Sequence, residues 1–202
     1  MRYKNAFSKC VNDVILLKNF VILSGLQVLN FVLSIYIKKK LTQMKGNIEL
    51  LTVLNSLLAD ELTAINQYMV HSEMCENWGY GKLHMAIRKQ AMDEMHHAEW
   101  LIERIIFFEG APTVSKLNPI RIGKTVAEII SNDNNDELGA VDSYNKAISL
   151  ARQVEDQVTV DLLTKILKME EGHVDWAEIQ RAQIDQMGLE NYLVNQIDSP
   201  AS

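Results

Sequence analysis

Apolar residues return at helical spacing along four stretches of the chain, and in each stretch one glutamate falls on the apolar stripe. The first stripe reads Leu54, Leu58, Glu61, Ile65, Tyr68, and the second Leu83, Ile87, Glu94, Leu101, Ile105. The third gives Ile130, Glu137, Val141, Tyr144, Ile148, and the fourth Leu163, Leu167, Glu170, Val174, Ala177. Steps of three, four and seven share one face of an α-helix, whereas a strand would alternate, and no stretch does. The pattern predicts helices from about Asn47 to Asn77, Lys82 to Glu109, Lys124 to Val154, and from a short turn beyond that to Met187. Trp78-Gly-Tyr-Gly81 turns the chain after the first, while Gly110-Ala-Pro112, Asn118-Pro119 and Gly123 keep the middle connection irregular. Leu189–Ile197 can add one short fifth helix. Connections therefore run short, long, short. Short ones make antiparallel neighbours, so the expected fold is all-α, an antiparallel four-helix bundle with one long crossover.

The stripes also repeat in register. Ala59-Asp-Glu-Leu-Thr-Ala-Ile-Asn66 returns 76 residues later as Asn135-Asp-Glu-Leu-Gly-Ala-Val-Asp142. Each copy is followed, 33 residues after its glutamate, by Glu-x-x-His with a tryptophan three further on: Glu94, His97 and Trp100, then Glu170, His173 and Trp176. The chain reads as a duplicated helical hairpin. Residues three apart are neighbours on one helix face, so each Glu-x-x-His can grip a common ion or adjacent ions. A buried carboxylate is costly unless neutralised, and four in one layer repel each other as well. No lysine or arginine lies on the stripes to pair them. Two divalent cations with two neutral histidines would balance the four glutamates, which selects a dimetal site. Carboxylate with imidazole suits iron, manganese or zinc better than calcium or magnesium, which prefer oxygen alone. A lone Glu-x-x-His is common; two, each with a partner glutamate at equal spacing, are specific.

Composition adds limits. With 202 residues, three prolines and nine glycines, the chain can build one helical domain with a full core. Cys10 and Cys75 lack any metal-finger spacing and read as reduced thiols of a cytoplasmic protein. Net charge is −6, unevenly spread: residues 1–43 hold seven basic residues and one acidic, the remainder thirteen basic and 25 acidic. Such a bundle repels nucleic acid and attracts cations. Between Lys18 and Lys38 lie nineteen uncharged residues, ended by three lysines. That is just long enough to span a bilayer, but Asn19, Ser24, Gln27, Asn30 and Ser34 make it polar and weigh against a membrane. Two domains are expected: an N-terminal extension, 1–43, and a helical domain, 44–202. The extension reads first as sequence upstream of a functional start at Met44, and otherwise as a membrane or docking segment or a soluble helix.

From Met44 onward the chain resembles bacterioferritin. The matching segments are Met44-Lys-Gly, Leu62-Thr-Ala-Ile-Asn-Gln-Tyr68, Asp93-Glu-Met-x-His97-Ala, Ile102-Glu-Arg-Ile105, Phe108-Glu-Gly-x-Pro112, Glu170-Glu-Gly-His173-x-Asp-Trp176 and Met187-Gly-Leu-x-Asn-Tyr-Leu193, covering about residues 44–199. The glutamate and Glu-x-x-His set is the one known from ferritin-like di-iron proteins. The resemblance implies a ferritin-like bundle in a homo-oligomeric, hollow shell of 24 subunits. Such a shell stores iron and has ferroxidase activity, oxidising Fe(II) with O2 or peroxide and keeping a ferric mineral. It implies that Glu61 and His97 hold one iron, Glu137 and His173 the other, and that Glu94 and Glu170 bridge them. Tyr68 matches the family's tyrosine beside the di-iron centre. Met95, which the residues alone read as filler on a packing face, matches the methionine that binds haem b, one per dimer, across a two-fold interface. A ferredoxin-type reductase for iron release is a further implied partner.

Departures accompany the likeness. Lys89 and Asp93 stand where some relatives carry a histidine and an aspartate for an inner-surface iron site, so that site is in doubt. His71, His84 and His96 have no repeat partner and read as surface or interface residues. Asp60 and Asp136 are expected to face solvent or groups around the ligands, and Glu99 and Asp175 to orient the histidines as acceptors. Two other classes compete: a rubrerythrin-like oxidase or peroxidase without storage, and a DNA-protecting mini-ferritin. The first often adds a four-cysteine site that two cysteines cannot build. The second places its iron between subunits and coats DNA, which an acidic chain carrying both motifs disfavours.

Overall fold

In the computed structural model, which describes residues 46–197 and besides them Asn30, Leu33 and Ser34, five helices follow one another. They are α1 (Ile48–Asn77), α2 (Gly81–Phe107), α3 (Val126–Gln153), α4 (Gln157–Met187) and α5 (Leu189–Val194). The chain divides into Met1–Lys45 and Gly46–Ser202. Apart from those three residues, the expectations for 1–43 and the Met44 start fall outside the described residues. Among the described residues no helix is long and apolar enough to cross a membrane.

Helix starts follow from short polar side chains that accept otherwise unpaired N–H groups. Asn47 Oδ1 accepts from Leu50 N at 3.0 Å, Thr125 Oγ1 from Glu128 N at 3.2 Å, and Asp156 Oδ1 from Thr159 N at 3.2 Å. Because Thr125 is an extended cap, α3 begins at Val126, slightly later than periodicity suggested. Three helix ends share one closure, in which Tyr80 N–H returns to Cys75 O, Gly110 N–H to Ile105 O and Asp156 N–H to Ala151 O, each at 2.9 Å. The closure puts the preceding residue in the left-handed region, where Gly79 (φ 81°) is at ease.

Two antiparallel hairpins, α1–α2 and α3–α4, pack together chiefly through α1 against α3. Their apolar stripes form two clusters. One holds Leu54, Leu58, Leu101, Ile105, Ile148 and Leu163; the other holds Tyr68, Leu83, Ile87, Ile129, Ile130 and Tyr192. Each such leucine or isoleucine, fully buried, contributes about 1.5–3 kcal/mol. On every long helix the stripe glutamate lies between the segments that feed the two clusters, so a charged layer is held inside an apolar bundle.

The crossover, residues 108–125, runs along α1 and hangs its backbone on one ridge of that helix. Thr113 N–H donates to Asn55 Oδ1 (2.7 Å), Asn118 N–H to Thr63 Oγ1 (2.8 Å), Arg121 N–H to Gln67 Oε1 (2.8 Å) and Gly123 N–H to His71 Nε2 (3.0 Å). The acceptors are spaced by multiples of four, which keeps them on one side of α1. Gly123 has no room for a side chain, since a Cβ there would lie 2.5 Å from Ile129 N.

This strap corrects the expectation for His71, which is fully buried and not at a surface or interface. Its Nε2 accepts a backbone N–H, so Nδ1 carries the proton and donates to Asp133, at 2.9 and 3.0 Å from its two oxygens. A second buried face on α1 made of polar residues is invisible to a search for apolar periodicity. His84 is half-buried against Ser72 at 3.0 Å, and His96 is exposed. Replacing His71 by Ala leaves buried Asp133 with Gln67 Nε2, at 2.9 Å, as its remaining donor, and leaves Gly123 N–H without an acceptor. Urea unfolding should show a loss of about 2–3 kcal/mol, the usual cost of stripping buried polar groups of a partner; a loss below 1 kcal/mol (roughly a single surface pair's worth) would mean that water replaces the imidazole.

Candidate metal centre

The four stripe glutamates and two histidines meet in one buried layer at mid-bundle. His97 Nδ1 lies 2.8 Å from Glu94 Oε2, 2.9 Å from Glu170 Oε1 and 3.5 Å from Glu61 Oε2. His173 Nδ1 lies 2.9 Å from Glu94 Oε1, 3.5 Å from Glu137 Oε1 and 3.6 Å from Glu170 Oε2. Glu94 and Glu170 thus touch both histidines, whereas Glu61 touches only His97 and Glu137 only His173. Two sets of ligand atoms, Glu61–Glu94–His97–Glu170 and Glu94–Glu137–Glu170–His173, each lie within 4.8 Å of one another and share the two central glutamates. Glu94 Oε1, Glu170 Oε1 and His173 Nδ1 are buried without a properly aligned hydrogen bond, although the first and last are 2.9 Å apart. Buried polar atoms of this kind demand a partner, and a divalent cation of the iron, manganese or zinc type fits the donor set.

Charge in the layer is otherwise managed by protons. Burial pushes Glu61 and Glu137 well above the usual carboxylate range, with the neighbouring carboxylates adding to the effect. Burial would lower both histidines, but the carboxylates around them outweigh it, raising His97 to about 12 and His173 further still. Burial also acts to raise Glu170, yet the imidazoles of His173 and His97 facing it bring it down to about 2. Among the described residues no lysine or arginine pairs with any of the four glutamates.

Two tyrosines brace the layer crosswise. Tyr68 O–H, on the stripe of Glu61, donates to Glu137, and Tyr144 O–H, on the stripe of Glu137, donates to Glu61. Burial first, then the neighbouring carboxylates, keeps both phenols protonated and so donors. Tyr144 lies 76 residues after Tyr68, so the repeat held the signal for it. The groups behind the histidines differ from expectation. Glu99 and Asp175 are exposed and orient neither ring; Glu99 lies 3.6 Å from the exposed His96. A residue two positions after a histidine points about 200° away around the helix. Behind His173 stands Asp93, and behind His97 stands Met169.

A cavity of about 340 Å³ leads from the crossover side to Glu61, Glu94, Glu137 and Glu170. Asp60 and Asp136 line it, the first bound by Asn118 Nδ2 at 2.5 Å, the second by Arg121 and by Gln67 Nε2 at 2.8 Å. Met95 lies on the outer side of α2, 44% exposed, with Met92 and Met85 also exposed on that helix.

The ferritin-like domain family matches residues 51–187. A bacterial ferritin from Synechocystis sp. is 42% identical over 155 residues, covering 76% of this chain and 99% of that protein. A bacterioferritin from Mycolicibacterium paratuberculosis is 39% identical over 159 residues, covering 79% of this chain and all of that protein. Another, from Brucella melitensis, is 39% identical over 149 residues, covering 74% and 92%. With a family match across most of the chain, relatives covered nearly end to end and a twice-written layer of buried carboxylate and imidazole, this chain belongs to the ferritin-like family, among the bacterioferritins.

Proposed function

We propose that this chain is an iron-storage ferroxidase that oxidises Fe(II) at the layer of Glu61, Glu94, His97, Glu137, Glu170 and His173. The observation that carries the reading is the convergence of six buried ligand side chains, four of them glutamates with which no lysine or arginine pairs among the described residues. Glu61 with His97 serves one ion, Glu137 with His173 the other, and Glu94 and Glu170 serve both. A carboxylate cage stabilises Fe(III) more than Fe(II), because the attraction scales with ion charge. Two adjacent irons supply two electrons to one O2 or peroxide. Tyr144 holds Glu61 by Oε1 and leaves Oε2, the oxygen that faces His97, for the ion; Tyr68 holds Glu137 by Oε1, the oxygen that also faces His173. Asp60 and Asp136 give the cavity a negative lining that draws cations inward.

The product is kept as a ferric mineral in a cytoplasmic homo-oligomeric shell, with a ferredoxin-type reductase returning it as Fe(II). Ferrous iron added aerobically to the purified full chain tests this. The expected result is a large assembly that elutes with its oxidised iron. A small oligomer that turns iron over without retaining it would instead indicate a rubrerythrin-like oxidase.

Haem b between two subunits completes the reading. Met95 offers an exposed thioether, a soft ligand suited to low-spin haem iron, and occurs once per chain, so axial ligation by Met95 from both sides requires two copies. Met95→Leu conserves volume and apolarity. It should abolish the Soret band of haem-replete protein while ferrous oxidation persists; wild-type protein with no Soret band would leave Met95 as packing.

A further inference from the structure

The two halves of the repeat are not equivalent behind their histidines. His173 Nε2 faces Asp93 Oδ2 at 3.5 Å, whereas His97 Nε2 faces Met169 Sδ at 3.4 Å. Asp93 and Met169 are themselves 76 residues apart, so one position of the duplicated hairpin carries a carboxylate in one copy and a thioether in the other. The layer is otherwise matched: Glu61 with Glu137, Glu94 with Glu170, Tyr68 with Tyr144, His97 with His173. Sulfur is the larger atom, so 3.4 Å is a close contact for the thioether whereas 3.5 Å is long for a hydrogen bond to oxygen; what separates the two halves is the charge of Asp93.

A histidine that binds a metal through one nitrogen is oriented, and made a stronger donor, by what accepts the N–H of the other. A carboxylate does this well. Even at 3.5 Å its charge attracts the N–H, because charge–dipole attraction fades gradually with distance. A thioether is a weak acceptor with no net charge and gives the imidazole little. Lys89 shares the same Asp93 oxygen at 2.6 Å, but its side chain is 75% exposed, so water screens it and Asp93 is weakened as an acceptor, not cancelled.

We infer that the two metal positions have unequal affinities: the Glu137–His173 position, backed by Asp93, fills first and holds tighter than the Glu61–His97 position, backed by Met169. The inference rests on the dimetal reading above and deepens it. Asp93 and Met169 act here as positioning residues, through the histidines. One ion is held while the other position remains the readier to load and release, which gives the centre an order of filling.

Titrating metal-stripped, full-length protein with Co(II), followed by visible absorption under nitrogen, tests it. Wild-type protein should show two steps of one ion each, separated by about tenfold or more in affinity, the lower end of the effect of such supporting groups. His97→Ala should remove the weak step and His173→Ala the tight one. Asp93→Asn, nearly isosteric, should weaken the tight step toward the weak one. Met169→Asp should strengthen the weak step, a gain that a purely structural residue would not give. Two equal steps, a weak step unmoved by Met169→Asp, or a tight step that disappears with His97→Ala would overturn the inference while leaving a dimetal centre. Binding of no ion at all would overturn both.

Discussion

Replacing both Glu94 and Glu170 by alanine should abolish the rapid oxidation of ferrous iron while the bundle stays folded. These two glutamates are the only members of the layer that touch both histidines, so the double change strips each ion of two ligands at once. Removing a group that merely supports a metal ligand costs about 10- to 100-fold. Loss of both shared ligands should therefore slow the fast phase by about a hundredfold or more. Folding survives because the change removes two buried charges from an apolar layer, leaving small cavities but no new unpaired ion. Stopped-flow absorbance of ferric iron, with circular dichroism as the control for folding, checks it. Fast oxidation persisting in the folded double variant would place the chemistry elsewhere.

Removing metal should make the bundle's stability fall as pH rises, the reverse of what a carboxylate-rich protein ordinarily shows. Glu61 and Glu137 are raised well above their unfolded value of 4.5, so their contribution is full below 4.5 and is lost as pH climbs toward their folded values. His97 and His173 are raised above 6.5, so theirs is full below 6.5 and declines above it, toward about 12 for His97. Glu170 works the other way: lowered to about 2, it stabilises above 4.5 and fails as pH drops toward 2. Metal-stripped protein should therefore melt at higher temperature at pH 5 than at pH 8. Cation loading must displace the protons on Glu61, Glu137, His97 and His173, so two ions should release protons at neutral pH, as metal binding to protonated ligands does. Melting curves of stripped protein, with an indicator dye during loading, report both. A melting temperature flat between pH 5 and 8, with no proton release, would mean that the layer is open to water and its groups titrate normally.

The glutamates and histidines could be read from the sequence because they sit on apolar stripes at spacings that repeat, where an acid has no structural reason to be. The same repeat carried Tyr144 alongside Tyr68, but a tyrosine on an apolar stripe looks like core until its hydroxyl is seen to reach across the bundle. His71 was hidden for another reason. It belongs to a polar ridge under the crossover, and a polar residue at helical spacing on a second face is indistinguishable in sequence from a solvated one. The partners behind the histidines lie on other helices, 80 residues away for Asp93 and His173 and 72 for Met169 and His97. Local spacing pointed instead to Glu99 and Asp175, which the helix turns outward. Long-range pairing, not local pattern, decides those contacts.

The most direct test is where iron goes. Crystals of the full chain exposed to Fe(II), measured with X-rays at the iron absorption edge, should show two anomalous peaks per chain inside the layer of Glu61, Glu94, His97, Glu137, Glu170 and His173. Each peak should contact Glu94 and Glu170. Iron found only outside that layer, or one peak that touches neither shared glutamate, would contradict the account.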